Sequence, residues 1–291
     1  MTDAERLMAG FVPGVAAAPY AIAPERAVEL TNTIFGGVPW LMTFSDRKAN
    51  FYADGKLEEI EVTFSALLSL WASSKAALIL GHELTEARKA NRASIDVKPG
   101  TPVHLAYQLI EGAKALIKNP AAQWPVNLGM PDPHAKPDTP DWYGNNLFLG
   151  SCAWILMHEI AHISLKHPET DLSDLLVKQE HEADVWAINW MLAKIGQTLK
   201  REFRVLSAIS GLAWIGLIDA VRGKGSTHPL APQRLGKCSQ YFLVDEVSPA
   251  LEIGTYILKA FFDPHTAVAE SEHPADAFSE ILFSYTRIAQ T

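Results

Sequence analysis

The stretch Ser151-Cys-Ala-Trp-Ile-Leu-Met-His158-Glu-Ile-Ala-His162-Ile-Ser-Leu165 sets two histidines four residues apart inside an apolar run. Side chains at that spacing leave a helix on one face, one turn above the other. Both imidazoles can then hold one metal ion at about 2.0–2.1 Å. Glu159 lies beside them, placed to take a proton from a metal-bound water. The apolar flanks predict a buried helix, and a glutamate with two imidazoles is costly there unless paired or metal-bound.

Working outward, Lys166-His-Pro168 ends this helix, because proline removes a donor and disfavours helix just before it. Thr170-Asp-Leu-Ser-Asp174 reads as a polar connection that can cap a new helix. A second helix is predicted from about Leu175 to Lys194, with Glu180, Ala183, Asp184 and Ala187 on one face. Small alanines there allow close approach to the first helix. Glu180 is the expected third metal ligand, leaving the fourth position to water as in catalytic zinc sites. Asp184, one turn on, fits as the acceptor for the free ring N–H of a ligand histidine. Glu182 reads as a solvated carboxylate, and His167 and His181 as surface or satisfied histidines. A closed structural zinc site would recruit cysteines, and none lies near the second helix.

His-x-x-x-His with its glutamate, followed within about twenty residues by Glu180-x-x-x-Asp184, resembles the gluzincin metallopeptidases. The text from His158 through Glu180-His-Glu-Ala-Asp-Val-Trp-Ala187 looks most like the Lit-type phage-exclusion peptidases. ImmA-type regulatory proteases and membrane-bound HtpX-like proteases share the pattern. Chain length and the long segment upstream of the metal site favour the Lit-type group. Ser226-Thr-His-Pro-Leu-Ala-Pro-Gln-Arg234 resembles a segment that follows the third ligand in HtpX-like proteases. That resemblance implies that His228 faces the metal and bonds the oxyanion, or takes the open coordination position at rest. Arg234 is then expected to pair with Asp or Glu and hold the segment.

The parts imply a mechanism without an acyl-enzyme. One Zn2+ per chain lowers the pKa of its water and polarises the scissile carbonyl. Glu159 accepts the water proton and delivers it to the leaving amine, while His228 stabilises the oxyanion. Cys152 and Cys238 read as buried thiols rather than nucleophiles.

Resemblance to the Lit-type group further implies a bacterial cytosolic endopeptidase that cuts elongation factor Tu, gated by a phage-derived peptide, in abortive infection. The residues themselves specify no substrate. The alternatives are an ImmA-like protease acting on a repressor and a zinc-binding pseudoenzyme or interaction module; intact Glu159 argues against the latter.

Composition bounds these readings. The chain has 291 residues, 48% hydrophobic and 20% charged, enough for a substantial core in an ordered protein. Two cysteines exclude a disulfide framework and fit a reducing cytoplasm. A net charge of −8 without a basic stripe argues against nucleic-acid binding. The opening Met1-Thr-Asp-Ala-Glu-Arg6 lacks the pattern of a signal peptide. Leu67–Leu80 is interrupted by Lys75 and reads as too short to span a membrane, and Val205–Val221 reads as a buried helix behind the metal site. No membrane partner is expected.

Ala49–Ala53 and Glu59–Phe64 are expected as short strands around an Asp54-Gly55 turn, followed by helix from about Ser65 to Asn91. Pro120 to Pro140 reads as a loop or irregular cover. Asn145 and Asn146, placed just before the metal helix, are expected to cap it or to bind substrate backbone. The C-terminal part reads as helices broken near Glu272–Asp276, with His265 and His273 as ordinary loop histidines. The expected fold is α+β and mainly helical: a gluzincin-like core with a small sheet, an N-terminal lobe over residues 1–140 and a metallopeptidase lobe over 141–291, packed as one unit.

Overall fold

The structure, a computed structural model, describes residues 1–92, 95–168, 170, 172–223, 229–262 and 273–290, and among these residues three β-strands and ten α-helices accompany one long central helix. The N-terminal helices are α1 (Asp3–Met8), α2 (Val12–Ile22) and α3 (Ala27–Glu29), the last running into a π-turn over Leu30–Ile34. The strands are β1 (Leu41–Ser45), β2 (Phe51–Asp54) and β3 (Glu59–Thr63). Strand β3 is central, antiparallel to β2 and parallel to β1. The β2–β3 hairpin is the one the turn residues predict. Strand β1 escapes the sequence reading because its side chains are half-buried or exposed, so no alternation of apolar and polar residues marks it.

Thr63 ends β3 and starts α4 (Phe64–Lys89). Its hydroxyl accepts from Ala66 N at 3.3 Å as a helix cap and from Asn50 N at 2.9 Å across the hairpin. Helices α5 (Pro102–Lys118), α6 (Pro140–Ser164), α7 (Ser173–Leu192), α8 (Leu199–Arg222), α9 (Ala231–Ser239), α10 (Pro249–Phe262) and α11 (Pro274–Gln290) complete the chain. The core is continuous from Ala4 to Tyr285.

Helix α6 carries the histidine pair and is packed by α2, α4, α7 and α8. It begins earlier than the asparagines suggest: Thr139 caps it, with Pro140 at its first position. Asn145 and Asn146 therefore lie inside the helix and do not cap it, and Asn145 is committed to contacts within the protein. Its side chain accepts from Trp71 Nε1 at 3.0 Å and donates to Asp132 O at 2.7 Å, tying the 120–140 segment to α4 and α6. Two glycines set the α6–α8 approach. A methyl at Gly150 would collide with the Ser207 side chain, and one at Gly211 would lie 3.1 Å from the Trp154 ring.

Helix α7 is held at its far end by three guanidinium groups. Arg26 donates to Trp190 O at 3.1 Å, Arg204 to Met191 O at 2.6 Å and Arg201 to Leu192 O at 3.2 Å. These bonds satisfy carbonyls that a helix C-terminus leaves unpaired and place positive charge at its negative end. Their effect is to fix the axis of the helix that carries Glu180 and Asp184.

Helices α4, α6 and α8 are long and apolar enough to cross a membrane by length and composition, and most of each apolar window is buried within the protein. For α4 this corrects the reading of Leu67–Leu80 as too short, since the helix begins at Phe64 and continues past that segment to Lys89.

Candidate metal centre

Helices α6 and α7 cross where their sequences predict a shared face. His158 and His162 project from α6 toward Glu180 on α7, and one ligand atom from each lies within 4.8 Å of the others. The two Nε2 atoms are 3.1 Å apart. Glu180 Oε2 is 3.4 Å from His158 Nε2, and Oε1 is 3.5 Å from His162 Nε2. Ala183 and Ala187 are fully buried on the same face of α7, which is what lets the two backbones come this close.

The surroundings orient these donors. Asp184 Oδ1 is 2.9 Å from His158 Nδ1, so the carboxylate accepts the ring N–H there and leaves Nε2 free as a donor atom. Arg234, on the first turn of α9, forks onto Asp184 with Nε–Oδ2 at 2.9 Å and Nη2–Oδ1 at 2.7 Å. Its Nη1 also lies 3.1 Å from Glu180 Oε2. Asp184 is 0% exposed, Arg234 4% and Glu180 6%, so none of this charge is screened by bulk water.

The charge balance explains the protonation of the group. Three carboxylic groups, Glu159, Glu180 and Asp184, meet one guanidinium. Burial and Arg234 act to lower the pKa of His158, yet Glu180 and Asp184 outweigh them and hold it up to about 9. Burial opposes ionisation of Glu180, but Arg234 and His158 carry it well below the ordinary carboxylate range. Asp184 is lowered in the same way, with Arg234 the largest force against its burial. Glu159 is different: burial raises its pKa, and nearby His158 and His162 only partly oppose that rise. The set thus carries excess acid that either a protonated imidazole or a dication would balance. Two imidazole nitrogens and a carboxylate oxygen are also the donor types of a three-ligand zinc site. The residues fit the ion.

A family model described as Peptidase U49 matches residues 60–254, which include the hairpin's last strand and both helices of the centre. The chain belongs to the Peptidase U49 family. The U49 chain is also 23% identical over 226 residues, 75% of each protein, to the "Cell death peptidase" of Escherichia coli strain K12. Together these make it a Lit-type peptidase, the group the sequence resembles. No solved structure matches it.

Of the residues singled out in this U49 peptidase, the structure brings His158, His162, Glu180, Asp184 and Arg234 into one buried cluster, with Glu159 within electrostatic reach. His228 and the Ser226–Thr227 pair before it lie outside the described residues, as does His265. Glu182 is half-exposed, beside Lys178 and His167. His167 is a satisfied histidine rather than a surface one, and its partner is a proposed ligand: its Nδ1 is 2.9 Å from Nδ1 of His162. The signal for that contact is a lysine at positive φ, Lys166 (φ 55°), a conformation that residue type does not advertise. Beyond the centre, a cleft of about 1010 Å³ runs along the outer face of α7 past His167, His181, Glu182 and the stacked Trp186–Trp190 pair.

Proposed function

We propose that this U49 peptidase is a zinc-dependent endopeptidase of the gluzincin type. The observation that carries the reading is the buried His158–His162–Glu180 donor set, its excess acid matched to a dication. Zinc held by these three residues supplies a Lewis acid that polarises a carbonyl and makes water a better nucleophile near neutral pH.

The chain's own residues do the rest. Glu159 takes a proton from the attacking water and passes it to the leaving amine nitrogen. Burial raises its pKa and suits it to hold that proton between the two transfers. Asp184 keeps the proton of His158 on Nδ1, and Arg234 locks Asp184 in place while neutralising part of the acid around Glu180. His228 is assigned to the oxyanion by its resemblance to HtpX-like proteases. The proposed substrate is a cytosolic protein, elongation factor Tu, cut in phage exclusion once a phage-derived peptide activates the enzyme. Membership of the Lit-type group supports that substrate and a cytoplasmic site of action.

Zinc content of the purified chain by plasma mass spectrometry tests the donor set. One zinc per chain is expected, retained in Glu159→Gln and largely lost in Glu180→Ala. Retention in Glu180→Ala would remove that residue from the ligand set. Incubation with elongation factor Tu, with and without phage-infected extract, tests the substrate. A Glu159-dependent cut is expected only with the extract.

A further inference from the structure

A histidine that gives Nε2 to a cation carries its proton on Nδ1, and that proton needs an acceptor. For His158 the acceptor is Asp184. For His162 the structure places a second imidazole there instead. Helix α6 ends in a reversed turn in which Lys166, at φ 55°, bonds its amide to Ile163 O at 3.0 Å and the His167 amide returns to His162 O at 3.0 Å. Gln179 of α7 then donates to Pro168 O at 3.0 Å, pinning the turn against the second ligand helix. The result is that the His167 ring meets the His162 ring edge to face, with Nδ1 to Nδ1 at 2.9 Å. On its other side His167 Nε2 is buried and makes no hydrogen bond, but the half-exposed Glu182, two residues after Glu180, brings its Oε2 to 3.3 Å from it.

We propose that His167 is a positioning residue for the metal ligand His162: its Nδ1 accepts the Nδ1–H of His162, and its Nε2–H is held by Glu182. The directions of the two bonds are mutually required. Two imidazole nitrogens at 2.9 Å need one proton between them, so if His162 donates, His167 must be neutral with its own proton on Nε2. Glu182, an acceptor only, selects that tautomer. Each ligand histidine is thereby oriented by α7, His158 directly through Asp184 and His162 by a relay through His167 and Glu182. The turn at Lys166 gains a function from this arrangement, because only that reversal brings residue 167 back beneath residue 162. The inference rests on the donor set proposed above.

The test uses the full chain, with zinc affinity measured by competition against a chromophoric chelator and the visible absorption of the Co2+-substituted protein recorded beside it. His167→Leu and His167→Gln are of similar bulk, but only the glutamine carries an acceptor. His167→Leu is expected to weaken zinc binding by about 10–100-fold, the range found when a ligand's supporting partner is removed. The Co2+ bands should shift with it. His167→Gln should recover most of the affinity and Glu182→Gln should fall between them. Leucine and glutamine variants binding zinc equally, within twofold of wild type and with unchanged Co2+ bands, would overturn the relay. A wild-type chain that binds no zinc overturns the donor set itself, and the relay with it. One zinc lost in Glu180→Ala but indifferent to His167→Leu overturns the relay alone. Melting curves on both variants separate loss of the acceptor from loss of the fold.

Discussion

Replacing Arg234 with methionine removes a guanidinium in contact with two buried carboxylates while keeping an aliphatic stem of similar length. Arg234 gives Asp184 two hydrogen bonds, at 2.9 and 2.7 Å, and lies 3.1 Å from Glu180. With Asp184 at 0% exposure and Glu180 at 6%, water cannot take its place. Breaking one side of a buried pair typically costs about 3–5 kcal/mol, because the other charge is left uncompensated. For a chain of this size that corresponds to a fall in Tm of about 5–8 °C. Thermal melts of the chelator-treated protein measure it directly. Zinc should recover part of the loss in Arg234→Met, since the ion takes over the charge of Glu180. The double variant with Asp184→Asn should be less destabilised than the sum of the two single ones, by about 1–3 kcal/mol. A loss below about 1 kcal/mol, together with additive double-variant energies, would refute the claim that this guanidinium balances the site.

Two further predictions concern the frame around the site. Arg201 donates to three carbonyls, Leu192 O at 3.2 Å, Ile195 O at 2.7 Å and Phe242 O at 2.8 Å. Arg201→Met should therefore lower stability by at least about 2 kcal/mol, each orphaned buried carbonyl costing about 1–3; chemical denaturation reads this, and no change would contradict the assigned role. Glu29 is held down to about 2 by hydrogen bonds from Arg26 and Lys194. Its folded pKa lies below its ordinary value of 4.5, so its contribution is complete above pH 4.5 and is lost as the pH falls toward 2. The difference in Tm between wild type and Glu29→Gln should accordingly shrink across that window, and a difference independent of pH would contradict it.

How much was legible in the sequence depended on whether the signal was local. The His158–His162 spacing, the breaker at Pro168 and the alanines at 183 and 187 are local, and they place two helices and their shared face from the sequence alone. That Arg234 pairs with an acid came from resemblance, whereas the identity of that acid as Asp184, fifty residues away, is not encoded in any spacing. The start of α6 is written as Thr139-Pro140, a capping residue followed by proline, but the asparagines downstream offer a competing cap signal. Asn145 turned out to satisfy Trp71, a contact across 74 residues that no periodicity encodes. Strand β1 was hidden because its partner is parallel and distant in sequence, and because neither of its faces is wholly apolar. That His167 is satisfied by His162 in particular is not legible, because a positive φ at a lysine, unlike one at a glycine, leaves no mark in the sequence.

The most direct measurement of the central claim is mass spectrometry of new protein N-termini in bacterial lysate treated with the wild-type chain or with Glu159→Gln, with and without phage-infected extract. Glu159→Gln should retain its zinc, so a difference between the two reports chemistry rather than metal binding. A discrete cut in elongation factor Tu is expected that appears with wild type and vanishes with Glu159→Gln. The same cuts with both proteins, or none with either in the presence of the extract, would contradict it.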